Sequence, residues 1–480
     1  MLFNSLEYFL FLGGVFLYRW YLHPFLFSNF SKNRELLHGI LLVASYFFYM
    51  SWDYRFGALI LISTVIDYFL ALAIDSETDE RFRLRYLQIS LILNLGVILG
   101  FFKYYNFLTN NVNSLFLLWS DVKPLPELHI ILPVGISFFT FQSMSYTIDV
   151  YRREISVEKS FLKFALFVSF FPQLVAGPIV TAKTFLPQLY RDTNFSEIPF
   201  RKAIRYFFLG YVKKVIISDN ISPIVDLIFD SPSNYGTGAS WLGAVLFILQ
   251  IYCDFSGYSD MAYASGLILG FELPENFRLP LIGRNFTDFW RRWHISLSTW
   301  LRDYLYFALG GSRVSYFRHK FNLFLTMLLA GLWHGANWNF VIWGGLQGIV
   351  LASESAYHRW NKDGNKNISL PQYLLQVTLT LGLFVFLGTL FRSQDMDKAL
   401  TLIQNMLIYS EKGLRPYMLK IGLTVIATVM VSNIAGYYIF EKNKSIQVSP
   451  VLEFGFYTVS VLLISLLTND NTAPFIYFQF

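Results

Sequence analysis

Two histidines carry the most specific chemistry in this sequence. His334 follows an apolar run from Phe321 to Trp333 and precedes GANWNFVIWGG. An ionisable ring inside so apolar a run is a functional candidate by default. A desolvated, neutral imidazole there could take a proton from a hydroxyl near pH 7, which is general-base chemistry. The plainer use is a histidine hydrogen-bonded across helices. Gly331 and Gly335 are four apart, as are Gly344 and Gly348, so backbone, or a substrate, can approach closely beside the ring. His294 lies in FTDFWRRWHISLSTWLRDYLYFALGG. A metal centre is not expected, because no HExxH, paired-carboxylate or cysteine spacing accompanies these histidines. P-loop, dinucleotide-binding and GxSxG signatures are also missing from the sequence.

The elements that must position these rings follow from periodicity. On a helix of about 3.6 residues per turn, Trp293, Leu297, Trp300 and Tyr304 share a face continued by Phe286, Phe289 and Trp290. Arg291, Arg292, Ser298, Arg302 and Asp303 occupy the others. The pattern predicts an amphipathic helix at a membrane interface, with His294 at the seam between stripe and polar face. Arg284, Arg291, Arg292, Arg302, Arg313 and Arg318 then either snorkel to lipid headgroups or form a basic collar for the phosphates of an activated donor such as an acyl-coenzyme A.

Composition fixes the setting. Of 480 residues, 54% are hydrophobic and 15% charged, whereas soluble domains carry about 25% charged residues. Apolar runs near residues 6–22, 37–53, 56–74, 86–102, 130–148, 161–178, 203–218, 239–255, 258–272, 321–336, 338–353, 372–391, 417–440 and 451–468 can each cross a hydrocarbon core of roughly 30 Å as helix. The expected fold is all-α: a polytopic membrane bundle of roughly 11–14 helices, some re-entrant. The run from Tyr8 to Trp20 lacks a basic leader and cleavage site and is expected to be a retained helix. Arg19, Lys32, Arg34, Arg81, Arg83, Arg85, Arg152, Arg153, Lys159 and Lys163 fall on one side of alternating spans, and Arg55, Lys103 and Lys123 on the other. That places the N-terminus outside. The net charge of +6 fits basic loops at anionic lipid, not nucleic acid. The single cysteine, Cys253, allows no intrachain disulfide.

Prolines and glycines interrupt LPVGISFFTFQSMSY (132–146) and FFPQLVAGPI (170–179), and glycines interrupt YCDFSGYSDMAYASG (252–266). Such segments must be enclosed by protein or line a wet cavity, because lipid cannot satisfy freed backbone groups. Singly they read as kinks or turns; together they favour helices around a funnel. Asp254 and Asp260 either mark a pathway at membrane depth or belong to a membrane-edge turn, with Asp254 as a helix cap.

FWRRWHISLSTWLRDYLYFALGG followed by LLAGLWHGANWNFVIWGGLQG resembles the membrane-bound O-acyltransferase superfamily, in its bacterial alginate O-acetyltransferase branch. LPVGISFFTFQSMSYTIDVYR, FPQLVAGPI, YCDFSGYSDMAYASGLILG, NFRLPL and the closing PFIYFQF extend the likeness from about residue 100 onward. The resemblance implies one membrane-embedded domain over residues 1–480, with generic spans to 102, a catalytic core over 103–360 and further spans over 361–480. It implies a funnel, an acyl thioester reaching from the cytoplasm and an acceptor hydroxyl or relay protein outside. His334 in LWHG matches the histidine held to be catalytic, and His294 in RRWHISLS the second family histidine. Asp254, Ser256, Tyr258 and Asp260 match a further motif. With Arg291, Arg292, Arg302 and Asn337 they form the expected substrate-facing set.

The implied mechanism is acyl transfer with His334 as general base and His294 or Asn337 stabilising the oxyanion. A covalent route through Cys253 is the alternative. The implied protein is a multi-pass O-acetyltransferase of the bacterial inner membrane. It would take acetyl from acetyl-CoA, with no permanently bound cofactor, to an exported polysaccharide or a periplasmic acetyltransferase partner. The competing readings are D-alanyl transfer from a carrier protein, as on teichoic acid, and a transporter.

Overall fold

A computed structural model describes residues 1–27, 33–121, 123–175, 177–361, 368–442, 449–467 and 475–476, with residues 440 and 464 by backbone only. Lys32, Ala176 of FFPQLVAGPI and most of PFIYFQF lie outside the described residues. Among those described the protein is helical without strands. Five helices among the described residues are long and apolar enough to cross a membrane: Tyr54–Ser76, Glu80–Phe116, Thr237–Ile268, Leu370–Arg392 and Pro416–Ile439. The protein is therefore an all-α polytopic membrane protein, as its composition demands. Other expected spans are helical but broken or more polar. Phe161–Ser169 stops at Phe170, and Tyr316–His334 opens with Arg318, His319, Lys320 and Asn322.

Helices begin where the sequence supplies an oxygen for their orphan N–H groups. Asp53 accepts from the Arg55 N–H at 2.9 Å, Asp79 from Arg81 at 2.8 Å and Asn337 from Asn339 at 2.9 Å.

The chain divides into two compact units, Met1–Phe207 with Met261–Pro274, and Phe208–Asp260 with Glu275–Phe480. In the first, Ile136–Tyr151 is enclosed so fully that every residue from Ile136 to Val150 is buried. Its entry requires glycine: Gly135 has φ 74°, and a methyl there would lie 2.7 Å from the Leu174 carbonyl oxygen. Nearby, the buried Asp67 carboxylate accepts from Ser90 Oγ at 2.7 Å and Asn94 Nδ2 at 3.0 Å. These bonds join two apolar helices and meet the requirement that a polar group at membrane depth be satisfied by protein.

The second unit contains both histidines. Tyr316–His334 and Trp338–Trp360 form a tight hairpin. A methyl on Gly331 would overlap the Phe340 carbonyl oxygen and lie 2.9 Å from Gly344 Cα, and one on Gly348 would lie 2.8 Å from the Phe324 backbone. The glycine spacing thus serves backbone-to-backbone packing, as the sequence suggests.

Two expectations change here. Residues 239–255 and 258–272, read as separate spans, are joined in one helix, Thr237–Ile268, about 48 Å long at about 1.5 Å per residue. Gly257 and Gly266 do not break it and serve close packing instead: a methyl on Gly257 would lie 2.6 Å from the Gly210 carbonyl oxygen, and one on Gly266 3.0 Å from Leu273 Cγ. The amphipathic helix expected through His294 is instead two short helices, Phe286–Trp290 and Ile295–Trp300, and His294 between them is left-handed at φ 44°.

Candidate functional site

His334 is the last residue of Tyr316–His334 and is 6% exposed. Three rings surround it. Its ring centroid lies 4.9 Å from that of Trp333, 5.4 Å from Trp343 of the hairpin's second arm and 5.1 Å from Phe391 near the end of Leu370–Arg392. Asn322, about three turns earlier in the same helix, ties down the basic loop by donating to the carbonyls of Leu309 and Gly311, each at 3.1 Å. A small apolar cavity of about 20 Å³ opens beside His334 and is walled by Trp343, Ile248, Phe391 and Gly388 among others. His334 sits in the last turn of its helix, at the negative end of the helix dipole.

His294 is fully buried, which corrects its expected place at an interfacial seam. The chain turns left-handed at His294, breaking the stripe and folding the ring inward. Phe255 meets it edge-on at 4.6 Å, and the indole of Trp333 lies 6.1 Å away, so Trp333 neighbours both imidazoles. Asn276 fixes the ring. Its Oδ1 lies 3.1 Å from His294 Nδ1 and also accepts from the Ser296 N–H at 3.2 Å and the Ser296 Oγ at 2.9 Å. A backbone N–H can only donate, so that atom is the amide oxygen, and His294 carries its proton on Nδ1. Its Nε2 is left as the acceptor atom. Burial pushes the imidazole down to about 3, so His294, which lies outside the five long apolar helices, is neutral at physiological pH.

Asn276 opens the NFRLPL run but was not singled out by its sequence; an amide oxygen accepting three bonds is visible only in the fold. Replacing it with Leu leaves the Ser296 N–H and His294 Nδ1–H without their acceptor. Each orphaned group costs about 1–3 kcal/mol. Asn276→Leu is expected to lower the unfolding temperature in detergent, and an unchanged melting curve would refute this role.

The acidic motif is mid-helix, not a turn or cap. Asp254 Oδ1 pairs with Lys214 at 2.7 Å, Lys214 also pairs with Asp219 at 2.7 Å, and Asp254 Oδ2 accepts the Ile476 N–H at 2.7 Å. Asp260 pairs with Lys213 at 2.7 Å. Ser256 is fully buried, and Tyr258 packs against Phe475 with ring centroids 4.7 Å apart and planes tilted by 31°. Phe475 also touches Phe255 at 5.8 Å, so this motif backs the wall behind His294. The carboxylates are committed to lysines because a buried charge needs a partner. The signal was available: Lys213 and Lys214 interrupt an apolar run and demand acids.

The arginines scatter. Arg292 is paired with Asp288 at 3.0 Å and Glu441 at 2.8 Å, and Arg302 with Asp303 at 2.7 Å, while Arg291, Arg313 and Arg318 are exposed. Arg284 lines a cavity of about 240 Å³ with Glu354, Tyr357 and His358. Asn337 is also committed: its Oδ1 caps Trp338–Trp360 and its Nδ2 faces the Gln394 carbonyl at 3.5 Å. Cys253 is buried and packs in the apolar core of this unit.

Residues 102–391 match the model of the membrane-bound O-acyltransferase family. The chain is 44% identical over 357 residues to the probable alginate O-acetylase AlgI of Azotobacter vinelandii, covering 74% of this chain and 69% of that protein. It is 36% identical over 413 residues to a peptidoglycan O-acetyltransferase of Helicobacter pylori, covering 80% and 76%. A teichoic acid D-alanyltransferase of Bacillus subtilis is 27% identical over 251 residues, covering 49% and 62%. With a family match over more than half the chain, on a multi-pass helical protein whose two motif histidines neighbour one tryptophan, the chain belongs to the membrane-bound O-acyltransferase family and is an acyltransferase.

Proposed function

We propose that this protein takes acetyl from cytoplasmic acetyl-CoA and delivers it across a bacterial inner membrane to hydroxyls of an exported polysaccharide or peptidoglycan, directly or through a periplasmic acetyltransferase. The identities to an alginate O-acetylase and a peptidoglycan O-acetyltransferase support this acceptor class. The observation that carries the mechanism is His334, buried at a helix C-terminus beside a cavity in an aromatic wall. The larger cavity carries mixed charge, Arg284 beside Glu354, which pairs with His358 at 3.5 Å.

In the reaction His334 takes the acceptor hydroxyl's proton as its oxygen attacks the thioester carbonyl. The tetrahedral adduct expels the thiolate, which recovers the proton from the imidazolium. The oxyanion role expected of His294 and Asn337 is revised, because His294 presents an acceptor nitrogen and Asn337 is held as a cap. Neutral His294 instead orients a donor hydroxyl or water. Cys253 takes no part: Cys253→Ala is expected to retain acetylation within about two-fold, and its loss with normal folding would revive the covalent route.

A second reading makes His294 the base, favoured by the Asn276 bond that fixes its tautomer as a base's orienting group does. Asn276→Asp separates the two, since a carboxylate beside His294 would shift the pH–rate profile only if that ring accepts the proton. The test of the function itself is the base-labile acetyl content of the cell's exported glycans, with acetyl absent from the deletion strain and restored by the intact gene. Equal acetyl content in both strains would remove the proposal.

A further inference from the structure

The cavity beside His334 is small, and its size has a consequence for the donor. It holds about 20 Å³, where roughly 10–15 Å³ is needed to seat one water-sized group. Apart from the imidazole its walls are aromatic or aliphatic, from Ile248, Ile251, Trp343, Phe384 and Phe391. Such a void favours a methyl over a polar group. Two helices close it. Thr237–Ile268 contributes Ile248 and Ile251, and Leu370–Arg392 contributes Gly388, where bare backbone faces Ile248. A methyl added at Gly388 would lie 2.7 Å from Ile248 Cδ1, so no spare carbon fits between them.

We infer that this cavity seats the methyl of the transferred acyl group and that the Ile248–Gly388 contact is the gate that confines the enzyme to two-carbon acyl donors. The inference rests on acetyl transfer as proposed above and adds its selectivity. A propionyl group needs one more methylene in the same space, which the contact denies. Discrimination against one extra methylene in an apolar pocket is worth about 10- to 200-fold.

The experiment uses membranes of a deletion strain carrying the full chain, supplied with isotope-labelled acetyl-, propionyl- or butyryl-CoA, and reads labelled base-labile esters by mass. The wild type is expected to incorporate acetyl at least about 10-fold over propionyl. Ile248→Ala, and separately Ile251→Ala, should raise the propionyl-to-acetyl ratio by about 10-fold. Gly388→Ala should reduce acetyl incorporation, and the double variant Gly388→Ala/Ile248→Val, which removes Cδ1, should recover it. Comparable use of propionyl by the wild type overturns the gate, whatever the variants' folding. So does an unchanged ratio in an isoleucine variant that still transfers acetyl, or failure of the double variant to recover. No acetyl ester from acetyl-CoA in the wild type removes the donor reading and the gate together, whereas acetyl transfer without chain-length selectivity removes the gate alone.

Discussion

His334→Ala is expected to lower glycan acetylation by about 100- to 10,000-fold, the range for losing a positioned general base. The ring is 6% exposed and walled by Trp333, Trp343 and Phe391. Because alanine also removes packing, His334→Gln is the companion variant: it keeps much of the volume but cannot accept and return a proton at neutral pH. Both should lose activity, with His334→Gln retaining a near-wild-type melting temperature in detergent. If His334→Gln folds and acetylates normally, the ring is structural glue and the proposed mechanism falls. The void left by His334→Ala adjoins the existing cavity, so added imidazole should restore part of the activity.

The second large effect is on stability. Lys214→Met leaves Asp219 and Asp254 facing each other without their shared cation. The three side chains are 3–7% exposed. Removing one member of a buried ionic group typically costs about 3–5 kcal/mol, because the remaining charge is stranded. The unfolding temperature should fall steeply, and Lys214→Met/Asp254→Asn should regain part of the loss by removing one stranded carboxylate. A Lys214→Met protein that unfolds like the wild type would show that water reaches this cluster. Since Asp254 also holds the Ile476 N–H, limited proteolysis near the C-terminal end should accelerate in Asp254→Ala.

Fold class and membrane residence were legible because they depend on sums. With 54% hydrophobic residues in long runs, the backbone must satisfy itself as helix wherever lipid surrounds it. The glycine spacing around His334 was also legible, since positions four apart share a helix face and small residues there permit close packing. His294 was misplaced for an equally physical reason. Periodicity treats Phe286 to Tyr304 as one helix, but packing of Trp293 against Phe289 and Phe384 and capture of His294 by Asn276 outweigh the local helical preference. Asp254 and Asp260 were recognised as costly at depth, but their lysine partners lie 40 and 47 residues away. Nothing in local spacing joins them.

By itself, then, the sequence determined that the chain is a helical membrane protein and that His334 lies in apolar, glycine-relieved surroundings, because burial and helix periodicity are local properties of composition and order. Only the tertiary structure decided that His294 is neutral with its proton on Nδ1, that the acidic motif is locked to Lys213 and Lys214, and that a methyl-sized cavity adjoins His334. Each depends on atoms far apart in the chain meeting within hydrogen-bond or van der Waals reach, and that is fixed by packing.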